Sequence, residues 1–268
     1  MNTLILSIIT MGTLGAVFAY GLSVARNKLK VEEDPRIDQV EGILPGANCG
    51  GCGLAGCRAL AEAIVLGRSE ADACPVGGSE MAREIAGVMG LSLQESEKKV
   101  AVLMCRGDKQ AAADKGAYQG VQTCYAARLL QSGQKACRFG CLGYGDCVEV
   151  CHFDALVMGE NGLPVVDEQK CTSCGLCVKA CPNKLFEIHP VSRSLFVFCK
   201  SLDDARTSRQ ACRHACIACK ICEKGFQNGE VKVENNLSVI HRHQVLDNEE
   251  GMKWIAKCPT KAIGLLPR

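Results

Sequence analysis

The chain opens on an unbroken apolar stretch, "LILSIITMGTLGAVFAYGLSV", from Leu4 to Val24. At ~1.5 Å of helical rise per residue, such a stretch covers about 30 Å, the hydrocarbon thickness of a bilayer. Arg26, Lys28 and Lys30 follow directly. Positive residues on the C-terminal side of a span place that side in the cytoplasm. A cleaved signal peptide is the rival reading, but it wants positive residues before a shorter apolar core, and neither is present. Residues 31–42, "VEEDPRIDQVEG", are polar and read as a linker. Two Ala-rich stretches, "RALAEAIVLG" (58–67) and "EMAREIAGVMG" (80–90), carry apolar positions at helical spacing and predict helices. "KKVAVLMC" (98–105) predicts a short buried strand. Residues 106–134 are polar and rich in Ala and Gly.

The rest of the chain repeats itself. Residues 135–190 and 191–268 each read as a Cys-rich turn, a short strand pair and a second turn. "ACRFGC" (136–141) returns as "ACRHAC" (211–216), and "ACPNKLFEI" (180–188) returns as "KCPTKAIGL" (257–265). Repetition of this kind is one structural unit used twice.

Composition changes the picture through one residue type. The 268 residues include 20 Cys, against 4% aromatics and 28 Gly. A chain so poor in aromatics buries little large core, so something besides packing helps hold it together. Disulfides, zinc and iron–sulfur clusters all use many Cys. A disulfide scaffold needs an oxidising compartment, which conflicts with the positive residues after the apolar stretch. The formal net charge of +2 and the lack of a dense basic patch give no nucleic-acid signal.

The Cys spacings decide among these. "CTSCGLCVKACP" (171–182) places Cys171, Cys174, Cys177 and Cys181 as C-x2-C-x2-C-x3-C-P, the bacterial ferredoxin run for [4Fe–4S] clusters. Three thiolates from one tight loop grip one cubane, and Gly175 lets the backbone curl round it. The fourth Cys ligates the other cluster. Zinc fingers show pairs, not a close triple followed by Cys-Pro. The partner cluster draws on "CRFGCLGYGDCVEVC" (137–151), where Tyr144 stands at the second ligand position. Cys137, one turn earlier, is the natural replacement. The expected sets are therefore Cys137, Cys141, Cys147 with Cys181, and Cys171, Cys174, Cys177 with Cys151. His152 replaces the usual Pro and is either structural or a hydrogen-bond donor to a cluster.

The second copy keeps the triple Cys216, Cys219 and Cys222, has Phe226 where the fourth Cys belongs, and lacks the second triple in "IHRHQVLDNEEGMKW" (240–254). The losses are the four ligands of one cluster, so the survivors, the triple and Cys258, are the ligands of the other. His241 and His243 in the vacated stretch are surface or packing residues, or, as in Rieske centres, ligands. A further group, Cys49, Cys52, Cys57 and Cys74, with Pro75 after it, has the spacing C-x2-C-x4-C-x16-C and closes one more [4Fe–4S] cluster. Gly50, Gly51 and Gly53 let backbone N–H groups approach its sulfurs, and such donors tune potential. "GCGLAG" (51–56) matches the dinucleotide pattern G-x-G-x-x-G, but no strand precedes it. Cys105, Cys124, Cys199 and Cys212 remain. They form a fifth site or stay buried thiols, which behave as small hydrophobes. Cys105 and Cys199 are equivalent in the repeat, and Cys212 matches Cys137, so that Cys212 and Cys219 are open to exchange.

One apolar helix, then "LPGANCGGCGLAGC" (44–57), then ferredoxin-like repeats: nearly the whole chain resembles the B subunit of the Rnf electron-transport complex. The resemblance implies that Cys49, Cys52, Cys57 and Cys74 hold the family's N-terminal cluster and that the 137–181 group holds the paired clusters. It also implies electron exchange with soluble ferredoxin, NAD reduction elsewhere in the complex, and coupling to Na⁺ or H⁺ movement. Tyr144, His152, Phe226 and the missing triple depart from the pattern.

The expected architecture is α+β. A transmembrane anchor (1–30) leads to an α-rich [4Fe–4S] domain (31–92) and a connecting segment (93–134). A two-cluster ferredoxin-like domain (135–190) and a degenerate one-cluster copy (191–268) follow. The expected function is a membrane wire of four or five [4Fe–4S] clusters, with no catalytic site of its own. It stands on the cytoplasmic side of the inner membrane with other membrane subunits as partners, and no nucleic acid is expected. A membrane-tethered redox sensor or scaffold is the alternative, and it requires reactive exposed thiols and an output motif.

Overall fold

A computed structural model of the chain describes residues 2–28, 34–92, 97–226, 229–241 and 249–266. The apolar N-terminal stretch forms α1 (Asn2–Lys28). Within it Ser7–Ala25, with mean hydropathy 1.7, is long and apolar enough to cross a membrane. None of that segment is buried against the rest of the chain. Apolar surface left in water loses about 25 cal/mol per Å² of stabilisation, so this helix calls for an apolar surrounding.

Three helices follow: α2 (Arg36–Ile43), α3 (Cys57–Val65) and α4 (Gly78–Met89). Ile37 and Val40 of α2, Leu60 and Ile64 of α3, and Ile85 of α4 meet in one small core. Their i, i+3 and i+4 spacing turns one stripe of each helix inward. Gly90, with φ +67°, ends α4 in a left-handed cap.

The remainder is two passes through one plan. The first runs β1 (Lys99–Leu103), α5 (Cys124–Leu129), α6 (Asp146–Glu149), β2 (Leu156–Met158), β3 (Pro164–Val166), α7 (Leu176–Ala180) and β4 (Phe186–Pro190). The second runs β5 (Leu195–Val197), α8 (Ala205–Ala211), α9 (Ile221–Lys224), β6 (Val231–Glu234), β7 (Leu237–Ile240), α10 (Glu249–Ala256) and β8 (Ile263–Leu265). Each pass builds two antiparallel two-stranded sheets. An outer pair joins its first and last strands, β1 with β4 and β5 with β8, and a hairpin lies between, β2 with β3 and β6 with β7. The strand expected at 98–105 is thus no part of a connector. Val102 pairs with Glu187 and Val100 with His189, so the first copy begins well before residue 135.

The copies share a core. Val100, Val102 and Met104 pack with Phe186, Phe196 and Phe198. Phe196 is wholly buried, with the His189 ring 5.0 Å away and the Arg193 guanidinium 4.4 Å above its face. Arg106 lies 3.9 Å over Phe198 and donates to the carbonyl of Leu265 at 2.5 Å, clamping the end of the first copy's outer strand to the last strand of the second. Glu187 pairs with His189 and Lys200, and these partners hold its carboxyl down at about 2.

Residues 111–115 form a second clamp. Ala113 donates to Ala211 at 2.9 Å and Arg213 to Ala111 at 2.9 Å, while Ala136 donates to Ala113 at 2.9 Å. The two Cys-rich turns are laced to the same short segment.

Candidate iron–sulfur centres

Cys49, Cys52 and Cys57 lie on the loop between α2 and the start of α3, and Cys74 on the turn before α4. Asn48, Gly50 and Gly53 take positive φ, curling the loop. The Asn48 side-chain oxygen accepts from the Cys57 amide at 2.8 Å and fixes the loop to the helix start. Cys52, Cys57 and Cys74 pack against the three-helix core. Burial raises the Cys74 thiol, and the Gly77 amide closes the turn on the Cys74 carbonyl at 3.3 Å. The glycine-rich loop is entered from a helix rather than a strand, which removes the dinucleotide context.

Cys171, Cys174 and Cys177 share a cavity with Cys151, and Cys181 reaches across to a cavity holding Cys141 and Cys147. Ser173 (φ +55°) and Gly175 (φ +75°) turn the backbone round the first cavity. The second cavity differs from the expectation. Its fourth thiol is Cys124, at the start of α5, and Cys137 lies in another cavity with Cys105, Cys199 and Cys212. Burial raises the Cys124 thiol. The Asp146 carboxylate holds α5 in place by accepting from the Cys124 amide at 2.8 Å and the Tyr125 amide at 3.1 Å. Cys124 therefore fills the position that Tyr144 leaves without a thiol.

In the second copy Cys216, Cys219, Cys222 and Cys258 line one cavity. Cys219 belongs here, and Cys212 does not. Ala218 (φ +51°) and Lys220 (φ +59°) repeat the curl of Ser173 and Gly175 without a glycine. Phe226 is buried with Leu195, Val231, Ile255 and Ile263, so apolar packing occupies the place of the missing fourth Cys. His241 is exposed, and its Nε2 lies 3.1 Å from the Glu234 carboxylate. His243 lies outside the described residues. His152 is exposed.

These donor sets fit clusters. A tetrahedral zinc with Zn–S of about 2.3 Å draws its thiolates to about 3.8 Å from one another. Among the described residues, no three His, Cys, Asp or Glu side chains converge closely enough for a single ion, although four cysteines line each of the cavities at Cys174, Cys147 and Cys219. The twenty thiols are unpaired. Burial pushes those of Cys141, Cys147 and Cys177 up to about 12, so they reach the thiolate form when iron replaces the proton.

Buried four-thiol cavities in series, closed by ferredoxin-type runs, define an iron–sulfur electron-transfer protein. Residues 44–76 match the family described as "Putative Fe-S cluster", and residues 164–186 match the 4Fe-4S binding domain. The B subunit of the Na(+)-translocating ferredoxin:NAD(+) oxidoreductase complex of Acetobacterium woodii is 42% identical over 98% of this chain and 78% of its own. The B subunit of the ion-translocating oxidoreductase complex of Methanosarcina acetivorans is 41% identical over 98% of this chain and 99% of its own. The B subunit of the proton-translocating ferredoxin:NAD(+) oxidoreductase complex of Clostridium ljungdahlii is 41% identical over 98% and 93%. The chain belongs to the family of B subunits of ion-translocating (Rnf) oxidoreductase complexes, and other subunits of such a complex are its partners.

Proposed function

We propose that this chain carries electrons from a reduced soluble ferredoxin to the other subunits of an Rnf-type ferredoxin:NAD oxidoreductase coupled to Na⁺ or H⁺ movement. In this reading α1 anchors it in the inner membrane with the cysteine-rich part on the cytoplasmic side. Its [4Fe–4S] ligand sets are Cys49, Cys52, Cys57 with Cys74; Cys151, Cys171, Cys174 with Cys177; Cys124, Cys141, Cys147 with Cys181; and Cys216, Cys219, Cys222 with Cys258. [4Fe–4S] clusters supply reversible one-electron transfer and need no general base.

The observation that carries this reading is the close spacing of successive ligand loops. A β-carbon at Gly51 would lie 2.9 Å from the Cys174 carbonyl oxygen and 3.2 Å from its Cβ. The loop of the N-terminal set therefore rests directly on the loop of the next. Gly51→Ala forces those two loops apart and is expected to loosen the contact by about 1–3 kcal/mol. Hydrogen exchange should then rise around Ser173 while the iron content stays unchanged. Unchanged exchange there would mean that the two loops are not held together.

Mixing the anaerobically isolated chain with reduced ferredoxin in a stopped-flow instrument tests the function. Rapid bleaching of the iron–sulfur absorbance is expected. Intact clusters that ferredoxin cannot reduce would overturn the reading. The sensor alternative calls for reactive exposed thiols, whereas Cys219 is the one exposed cysteine of the twenty.

A further inference from the structure

We infer that Cys105, Cys137, Cys199 and Cys212 form one more cluster site, a four-thiolate iron–sulfur centre that joins the two copies and makes the series of clusters continuous. The inference rests on the iron–sulfur reading above and adds a site to it.

The four thiols line a single cavity, whose wall they share with Cys141 of the neighbouring site, and each is at most 9% exposed. Gly107 keeps the approach open. A β-carbon there would lie 3.4 Å from the Cys212 sulfur and 3.6 Å from that of Cys105. The Cys137 thiol is near enough to act electrostatically on those of Cys105, Cys199 and Cys212. As in the other cavities, no three of these side chains converge tightly enough for a single metal ion.

Buried thiols acting as small hydrophobes are the plain alternative, and the surroundings of the sulfurs argue against it. Two backbone amides point at the sulfur of Cys105 and two at that of Cys199. Cys105 receives Gly107 at 3.4 Å and Cys141 at 3.5 Å. Cys199 receives Ser201 at 3.4 Å and Cys216 at 3.3 Å. At Cys137 and Cys212 the loop turns tightly in the same way, Gly140 donating to the Cys137 carbonyl at 3.3 Å and Ala215 to the Cys212 carbonyl at 3.2 Å. A neutral thiol is a weak acceptor, so such cradles are spent unless the sulfurs carry negative charge. N–H donors around ligand sulfurs are the surroundings expected of a cluster.

The cradles also obey the repeat. Cys105 follows the first strand of its copy and Cys199 follows the first strand of the other. Cys137 and Cys212 occupy the same place in "ACRFGC" and "ACRHAC". The donors correspond: Gly107 and Ser201 each lie two residues after their cysteine, and Cys141 and Cys216 each lie four residues after Cys137 and Cys212. Each copy supplies two thiols, and neither closes a site alone. The strap at 111–115 and the Arg106 clamp hold the halves in this register.

Position gives the site its use. Cys141, whose amide reaches the Cys105 sulfur, lines the cavity of the first copy's cluster. Cys216, whose amide reaches the Cys199 sulfur, lines the cavity of the second copy's cluster. The new site is bonded to both neighbours through these peptides. It bridges the first copy's pair of sites to the one surviving site of the second copy.

Iron counting on the anaerobically isolated full chain tests this without any variant. About 20 Fe per chain is expected for a fifth [4Fe–4S] cluster, and about 18 for a [2Fe–2S] cluster held by the same thiols. Cys212→Ser or Cys105→Ser should remove that increment and leave the other clusters reducible by ferredoxin. A count of about 16 Fe in the parent chain, or a higher count that neither substitution lowers, overturns the inference. A count of about 16 with rapid reduction by ferredoxin refutes only this site, whereas a chain without iron refutes the whole iron–sulfur reading.

Discussion

Cys124→Ala is expected to lower the iron content of the anaerobically isolated chain by about four atoms, and adding Tyr144→Cys to that variant is expected to restore them. The two positions compete for one corner of one site. Gly143 (φ +80°) and Gly145 (φ +87°) give the run around Tyr144 the same curl that Ser173 and Gly175 give the run around Cys174. The backbone of a complete ferredoxin loop is therefore intact, with a phenol where the second thiol belongs. Tyr144 points instead to the Gln134 side chain and to the Tyr118 ring, 5.7 Å away. Cys124 takes over the role from outside the run, held by the bonds of α5 to Asp146. Tyr144→Cys removes a hydrogen bond and a ring pair, which lowers stability by about 1–3 kcal/mol, but it returns a thiol to a loop already shaped for one. Iron analysis and the EPR spectrum of the dithionite-reduced protein report the outcome. If Cys124→Ala keeps its iron, or if Tyr144→Cys rescues Cys137→Ala instead, the assignment of Cys124 is wrong.

That exchange of Cys124 and Cys137 marks the limit of what ligand spacing encodes. The sharing of one cavity by Cys151 and the 171–177 loop, and of another by Cys181, Cys141 and Cys147, is legible because thiol spacing in a tight loop is a local property. The helices at 58–67 and 80–90 are legible because each buries one stripe. Spacing assigns Cys137 to its neighbours in the chain, whereas the fourth thiol of that cavity, Cys124, arrives from a helix 20 residues upstream of Tyr144. Nothing in the spacing encodes that approach, which depends on Asp146 receiving the start of α5. A usable signal is nevertheless present. Cys105 matches Cys199 and Cys137 matches Cys212 across the repeat, and equivalent residues of two packed copies meet readily at their junction. The pairing of β1 with β4 is hidden for a related reason. Its partners are separated by more than 80 residues, and a short apolar strand carries no mark of the strand it will join.

The second copy offers the opposite experiment, a site that lost its neighbour. Cys258→Ala is expected to remove about four iron atoms, whereas His241→Ala leaves the iron content unchanged. Cys258 lies in the cavity of Cys216, Cys219 and Cys222, in the part corresponding to Cys181 of the first copy. With three thiols left, the cubane loses one of its four protein ligands and its hold on the loop at 216–222. His241 is exposed and faces Glu234, away from any such role. The vacated site cannot be refilled by restoring a thiol, because its space has become core. Phe226→Cys opens a hole among Leu195, Val231, Ile255 and Ile263 and should destabilise the chain by about 3 kcal/mol with no gain of iron. Unchanged iron and EPR in Cys258→Ala would refute the assignment, and extra iron in Phe226→Cys would show that the second copy still holds the remaining ligands of a second cluster.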